Sequence, residues 1–294
     1  MRKDNSKTFF TDMKKAFLYI LLALSLTSCE EVVNNLTTDN TVDGLKEALR
    51  VGTTVAAQQL GVEDGYLTDE AVKIFLPDEA QKTFQAVQTI KPILSNPLVS
   101  MALSALDISG LDADFKDVME TAFNRAAEDA APKSVGIFVN AINGMTINDG
   151  KDILFSSNNQ AATDYLADKT SDSLTKAFSP VIDISLDKVT AAGYSATEIW
   201  ATYAEKKNQL ASSIQKVQGG ITLAETYGLL TAEQTALINS VQTPVQTSLG
   251  SYVTGKALDG LFKKIAGEEY KIRTDATARI NDLLQDVFGR LDNR

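Results

Sequence analysis

Apolar residues recur at helical spacing along almost the whole chain from Thr41 onwards, and this pattern predicts an all-α fold. The clearest stripe, on a helix predicted over 115–130, consists of Phe115, Val118, Met119, Ala122, Phe123, Ala126, Ala127 and Ala130. No segment alternates apolar and polar residues long enough to predict an exposed sheet, although residues 180–184 fit either a strand or a helix. The prediction is a multi-helix bundle of unknown topology, with no sheet beyond short pieces.

Capping and breaking residues set the predicted helix boundaries. The first helix ends at Gly61, and a second is predicted from Thr68 to Pro77. Capping boxes are predicted at 146–149, 157–160 and 231–234, each opening a helix. These boundaries divide the chain into helices joined by short connections.

The chain from 41 to 289 is expected to form a single α-helical domain, because no fixed-period repeat indicates a solenoid. Gly219 and Gly220 are predicted to break a long helix that contains Trp200. Residues 207–248 are then predicted to form a helical pair that projects from the main body. We expect this stretch to be an insertion that meets partners.

The N-terminus carries the parts of a secretory signal. Lys14 and Lys15 precede an apolar run over residues 16–26, which is shorter than the roughly 20 residues that a membrane-spanning helix needs. The run leads to LTSC at 26–29, which resembles the lipobox of bacterial lipoproteins. The resemblance implies cleavage before Cys29 and acylation of that residue, palmitate being one such acyl group. The alternative is an ordinary signal peptide that happens to contain a cysteine.

Under this interpretation residues 1–28 are a signal peptide and residues 29–40 are a flexible polar tether. The true start is predicted at Met13, because MKKA is a more typical beginning for a lipoprotein signal. Several acyl chains on Cys29 would provide a durable membrane anchor. The predicted location is the bacterial cell envelope, with the outer membrane preferred, on its periplasmic face or at the cell surface.

The amino-acid composition excludes several classes of function. The 294 residues include no histidine and one cysteine, which excludes histidine-dependent catalysis, an internal disulfide and zinc sites built from these residues. The formal net charge is −10, and loss of residues 1–28 makes it more acidic, so nucleic acid is not an expected partner. Nucleotide-binding and hydrolase motifs such as GxxxxGK[ST] and GxSxG are absent. No cofactor and no metal site is predicted, and the aspartates between 107 and 117 lack the glycine of a calcium loop.

Five residues form the candidate polar site: Asn124, Arg125, Glu128, Asp149 and Arg273. The first three lie on the polar side of the helix predicted over 115–130, and Glu128 is expected to pair with Arg125 or Arg273 in a groove for a polar ligand. The alternative is a solvated helix face, on which an exposed ion pair is worth only about 0.3–0.5 kcal/mol.

Several short blocks together resemble an uncharacterised family of bacterial envelope proteins, number 4197 among the domains of unknown function. The blocks are GLKEAL (44–49), NRAAE (124–128), MTIND (145–149), AATDYL (161–166), YVT (252–254), ALDGLF (257–262), EE (268–269) and IR (272–273). The resemblance covers residues 41 to 289 and is weakest over 207–248. It implies a mostly helical, exported and often lipid-anchored domain, and it implies no particular activity.

The predicted function is that of a lipid-anchored envelope protein of unknown activity, acting as a binding or structural module with a possible envelope protein partner. The alternative is an envelope enzyme that acts on a polar substrate with carboxylates alone, since paired acids can work without histidine. Glu128, Asp149, Glu268 and Glu269 are the carboxylates to test for that alternative. Their spacing does not distinguish them from the chain's other carboxylates, so catalysis is not the preferred hypothesis.

Overall fold

Residues 38–103, 113–191, 193–242, 249–279 and 282–289, together with residues 108 and 245, are described by a computed structural model of the protein. The α-helices are α1 (Thr38–Leu60), α2 (Asp78–Ile93), α3 (Pro97–Ala102), α4 (Ala113–Ala130), α5 (Ser134–Asn143), α6 (Ile147–Leu154), α7 (Ala161–Leu186), α8 (Ala196–Lys216), α9 (Gln218–Thr226), α10 (Ala232–Ser240), α11 (Leu249–Thr274) and α12 (Asp282–Gly289). The predicted signal peptide, Cys29 and the tether up to residue 37 lie outside the described residues.

The only strands in the described part of the chain form a small antiparallel hairpin between α7 and α8. β1 (Val189–Ala191) pairs with β2 (Tyr194–Ser195), and Val189 lies opposite Ser195 in the register. The prediction of an all-α multi-helix bundle with no sheet beyond short pieces is therefore confirmed.

Helix α7 lies at the centre of the bundle and packs against α4, α5, α6 and α11. Its inward face is fully buried and consists of Leu166, Leu174, Phe178 and Ile182, spaced at multiples of four residues. Burial of each such side chain stabilises the fold by about 1.5–3 kcal/mol. Because α7 continues to Leu186, residues 180–184, whose sequence fits either a strand or a helix, are helical.

Helix α4 presents the predicted apolar stripe to the core. Met119, Phe123, Ala126, Ala127 and Ala130 are fully buried, as the spacing predicted. The small alanine side chains allow α4 to pack closely on α7 and α11. Three of the candidate site residues lie beside this stripe on α4, and two of them, Asn124 and Glu128, are also buried.

The prediction of a second helix from Thr68 to Pro77 is wrong. The structure places irregular turns between α1 and α2, and the first turn of α2 begins at Asp78 after Pro77. We call residues 61–77 the strap. Some of its backbone amides close local turns, such as those of Val72 and Lys73 on the Asp69 carbonyl. The amides of Tyr66, Leu67, Ile74 and Leu76 bond instead to side chains of α4, so tertiary contacts replace part of the helical hydrogen bonding that the local sequence favours.

Two other boundaries differ from prediction. The capping box at 157–160 does not form, because Gln160 makes no capping bond and the first amides of α7 bond to Glu269 instead. The helix α1 begins at Thr38, so the last three residues of the predicted tether are helical. The boxes at Thr146 and Thr231 are present as predicted.

The described part of the stretch 207–248, up to residue 242, packs on the body rather than projecting from it. Helix α10 packs along α2, α9 contacts α3, and Ile221 and Ile238 are buried. Gly219 and Gly220 lie inside α9, because the chain turns two residues before Gly219, at Val217. Helix α9 ends at Thr226, and Gly228 follows it with a φ of 69°. This conformation permits two backbone bonds, from the Gly228 amide to the Glu225 carbonyl and from the Leu229 amide to the Ala224 carbonyl, that close the end of the helix.

Candidate functional site

Helix α4 carries a row of buried polar side chains that bind the backbone of the strap. Glu120, Asn124 and Glu128 follow one another at four-residue spacing, so they lie on one face of the helix. Glu120 accepts a hydrogen bond from the Leu76 amide through Oε1 at 3.2 Å. We call these three residues the polar row.

Asn124 pairs with the strap much as a neighbouring strand would. Its Oδ1 accepts a hydrogen bond from the Ile74 N–H, and its Nδ2 donates to the Ile74 carbonyl, both at 2.9 Å. Nδ2 also donates to the Glu120 carbonyl at 2.7 Å. Because the side chain is fully buried and both of its polar atoms are used, Asn124 holds the strap in position.

Glu128 binds the other end of the strap. Its Oε1 accepts from the Tyr66 and Leu67 amides at 3.1 and 3.3 Å, and its Oε2 accepts from Arg125 at 2.7 Å. Arg125 also donates to Asp64 at 2.7 Å. These two hydrogen bonds raise the pKa of Arg125 although its partial burial opposes the shift. The predicted partner of Glu128 is therefore Arg125 and not Arg273.

The strap is fixed on its other side by α11. The Tyr66 hydroxyl donates to the Ala257 carbonyl at 2.7 Å, and burial raises the pKa of this hydroxyl well above its ordinary value. Asp69 pairs with Lys264, and this bond lowers the pKa of the carboxyl. The strap thus connects α4 to α11, and the polar row has a structural role in that connection.

Glu269 and Arg273 form a second, separate buried group at the start of α7. Glu269 accepts hydrogen bonds from the Ala162 and Thr163 amides at 2.9 and 2.8 Å and from Arg273 Nε at 2.9 Å. A carboxylate at a helix N-terminus satisfies amides that have no partner within the helix. Arg273 also donates to the Ile153 carbonyl at 2.9 Å, which ties α11 to α6.

Asp149 lies in a third place, at the start of α6. Its Oδ2 accepts from the Thr146 amide and hydroxyl at 2.8 and 2.7 Å, and these bonds lower the pKa of Asp149. It borders an open groove between α5, α6 and α7, of about 840 Å³ including the space at its mouth. The groove is lined by Ile137, Asn140, Ala141, Gly144, Asp149, Tyr165, Lys169, Thr170 and Ser173. We call it the Asp149 groove.

The five candidate residues thus fall into three groups. Asn124, Arg125 and Glu128 act together on the strap, Arg273 pairs with Glu269, and Asp149 lines the groove. The carboxylates of Glu128 and Glu269 each accept several hydrogen bonds from backbone amides and an arginine. Such groups hold the fold, whereas the Asp149 groove presents several polar side chains to solvent.

The sequence profile of the family described as "Protein of unknown function (DUF4197)" matches residues 35–106 and 93–289. The chain belongs to the DUF4197 family. No curated protein and no solved structure matches it significantly. The second matched range of the DUF4197 profile runs through residues 207–248, so the stretch expected to be an insertion lies within it.

The DUF4197 chain has further surface features in the part of it that the structure describes. The segment 217–255 contains two charged residues, Glu225 and Glu233, and exposes Leu223 and Tyr227 on α9. The described residues include no group of three or more histidine, cysteine, aspartate or glutamate side chains that could hold a metal ion. Within the same ranges no helix is both long and apolar enough to cross a bilayer.

Sequence reasoning missed Glu120 in the polar row and Tyr165 and Lys169 in the groove of this DUF4197 domain. Glu120 precedes Asn124 by four residues, so the helical spacing alone could have found it. Tyr165 and Lys169 are also four residues apart, on α7, and Lys169 Nζ lies 5.8 Å from the centre of the Tyr165 ring. Their position beside Asp149 depends on how α6 packs on α7, which no local pattern shows.

Proposed function

We propose that this DUF4197 protein is a lipid-anchored binding protein of the bacterial envelope, which takes a glycan in the Asp149 groove. The observation that carries the binding role is this groove, because it brings an acid, a base, an amide and an aromatic ring to one open surface. The anchor rests on the sequence alone.

Cys29 supports the anchor in two ways. It is the only cysteine, and it stands directly after the small residues that end the apolar run. Each buried CH₂ of an acyl chain contributes about 0.8 kcal/mol, so two or three chains hold a protein on a membrane where one would not. Metabolic labelling with a fatty acid tests this: wild-type protein should carry the label and Cys29→Ala should not. Unlabelled wild-type protein would refute the anchor.

The side chains of the groove suit a ligand with many hydroxyl groups. Asp149 supplies an acceptor, Lys169 supplies donors, and Asn140 supplies both. A sugar hydroxyl donates and accepts at once, so it pairs with all three. The half-buried Tyr165 ring offers an apolar face of the kind that packs against the C–H face of a sugar.

Binding is better supported than catalysis. The hydrogen bonds from Thr146 lower the pKa of Asp149, so this carboxyl is ionised at neutral pH and is a poor general acid. Of the other acids proposed for catalysis, Glu128 and Glu269 bind backbone amides in the core, and Glu268 pairs with Lys271. An ionised Asp149 remains a good acceptor for ligand hydroxyls.

A binding experiment with matched lysines tests the groove. A tetramer of N-acetylglucosamine is titrated by calorimetry into the chain without residues 1–29. Lys169→Ala should weaken binding about tenfold, because a charged donor contributes roughly 1.5 kcal/mol to a hydrogen bond. Lys176→Ala on the same helix, which is exposed and outside the groove, should leave affinity unchanged. Equal affinities for both variants, or no binding by wild type, would refute the proposal.

A further inference from the structure

The first turns of α1 pack against α6. Val42, in the first turns of α1, is buried, and Gly150 of α6 lies directly beneath it. A Cβ atom at Gly150 would come within 2.6 Å of the Val42 Cγ1, so the close approach requires glycine at this position. The start of α1 is therefore fixed against α6.

The chain that joins Cys29 to α1 is short. Residues 30–37 separate the two, and a fully extended chain covers at most about 3.6 Å per residue, or roughly 30 Å here. If Cys29 carries acyl chains in a bilayer, α1 must begin within that distance of the membrane surface. Helix α6, on which α1 begins, is then among the elements nearest to the lipid.

Three exposed apolar or aromatic side chains lie at or next to the ends of α6. Ile147 at its start is 44% exposed, Phe155 directly after its end is 53% exposed, and Tyr270 of α11 is 54% exposed. The hydrogen bond from Arg273 to the Ile153 carbonyl brings the turn of α11 that carries Tyr270 to the end of α6. We call these three side chains the α6 face.

Charge near the α6 face is not basic. Helix α6 carries Asp149, Lys151 and Asp152, and exposed Lys271 pairs with Glu268 at 2.7 Å. Such a surface has no excess of lysine or arginine to attract anionic lipid, but it suits a zwitterionic interface, where apolar and tyrosine side chains enter the headgroup region.

We infer that the α6 face rests on the bilayer that holds the acylated Cys29, with Ile147 and Phe155 inserted among the lipid headgroups. This inference rests on the proposed anchor and adds an orientation to it. Because the tether is short, an acylated Cys29 keeps this face close to the bilayer, so we expect lipid to cover it.

Cys29 is the only cysteine, and acylation blocks its thiol. A cysteine introduced elsewhere is therefore the single free thiol, so a fluorophore can be attached at one chosen position. Lipidated full-length protein with Ile147→Cys or Phe155→Cys is labelled with a fluorophore and reconstituted into phosphatidylcholine vesicles that contain brominated chains. Ile184→Cys and Tyr227→Cys are the controls, since both residues are more exposed, at 65% and 73%, but lie on α7 and α9 away from this face. Brominated lipid should quench the labels at 147 and 155 at least twofold more than the control labels.

The outcomes separate the two proposals. If mass spectrometry shows acylated Cys29 and the labels at 147 and 155 are quenched no more than those at 184 and 227, the orientation is refuted while the anchor stands. Stronger quenching at 227 would also overturn the orientation and would favour α9 as the contact. If Cys29 carries no acyl chain, the anchor is refuted and the inference falls with it.

Discussion

The strap depends on Asn124, and replacing this residue with alanine is the sharpest test of the polar row. Asn124→Ala leaves the N–H and the carbonyl of Ile74 without partners in a buried environment. Each unpaired buried group costs about 1–3 kcal/mol, so we expect a loss of about 3 kcal/mol in the free energy of unfolding. The Glu120 carbonyl adds little to this loss, because it can retain its own helical hydrogen bond within α4.

Urea unfolding followed by circular dichroism measures this loss on the chain without residues 1–29. Asn124→Asp provides a second test, because its carboxylate would face the carbonyls of Ile74 and Glu120, and it should destabilise at least as much as alanine. Asn140→Ala, exposed on α5, is the control and should change stability by less than about 0.5 kcal/mol. A loss below about 1 kcal/mol for both Asn124 variants would show that the strap does not depend on this pairing.

Three further changes test other contacts by the same measurement. Glu269→Gln should cost about 3–5 kcal/mol, since it leaves a buried arginine without its charge partner. Glu268→Gln, at a half-buried side chain that pairs with exposed Lys271, should cost less than about 1 kcal/mol. Gly260→Ala should cost about 1–3 kcal/mol because its Cβ would lie 2.8 Å from the Tyr66 ring, while Gly255→Ala on the same helix has open space and should stabilise slightly. Asp69→Asn should cost about 0.5 kcal/mol at pH 7. Because its pairing with Lys264 lowers the pKa of Asp69, the contribution is present above the unfolded pKa of about 3.9, and the difference from wild type should vanish towards pH 2. An unchanged difference at low pH would contradict that assignment.

Local signals in the sequence predicted much of the fold. The apolar stripe on α4 and the boxes at Thr146 and Thr231 were confirmed, because helical spacing and capping act within a few residues. The capping of α7 was missed, because Glu269 lies more than a hundred residues from the amides that it binds. The prediction of an α-helix at 68–77 was wrong for the same reason, since side chains on α4 bind the amides of Ile74 and Leu76, which a helix would have paired locally.

The candidate site shows the same limit. Asn124, Arg125 and Glu128 lie on neighbouring turns of one helix, so helical spacing alone places them near one another, and all three bind the strap. Asp149 and Arg273 were added by chemical type, and the packing of α6, α7 and α11 places them in different groups. The groove residues Tyr165 and Lys169 carry no motif, so only the tertiary structure brings them to Asp149.

The positions of the carboxylates change how mutations of this protein must be interpreted. Glu128→Gln and Glu269→Gln are natural tests for an enzyme that works with acids alone, but both side chains hold buried backbone amides. Loss of a cellular phenotype in either variant would therefore follow from loss of the fold as readily as from loss of catalysis. Changes at exposed groove residues separate these causes, because Lys169 is exposed and holds no backbone group in place. A phenotype lost in Lys169→Ala with unchanged unfolding free energy would arise from the groove and not from the core.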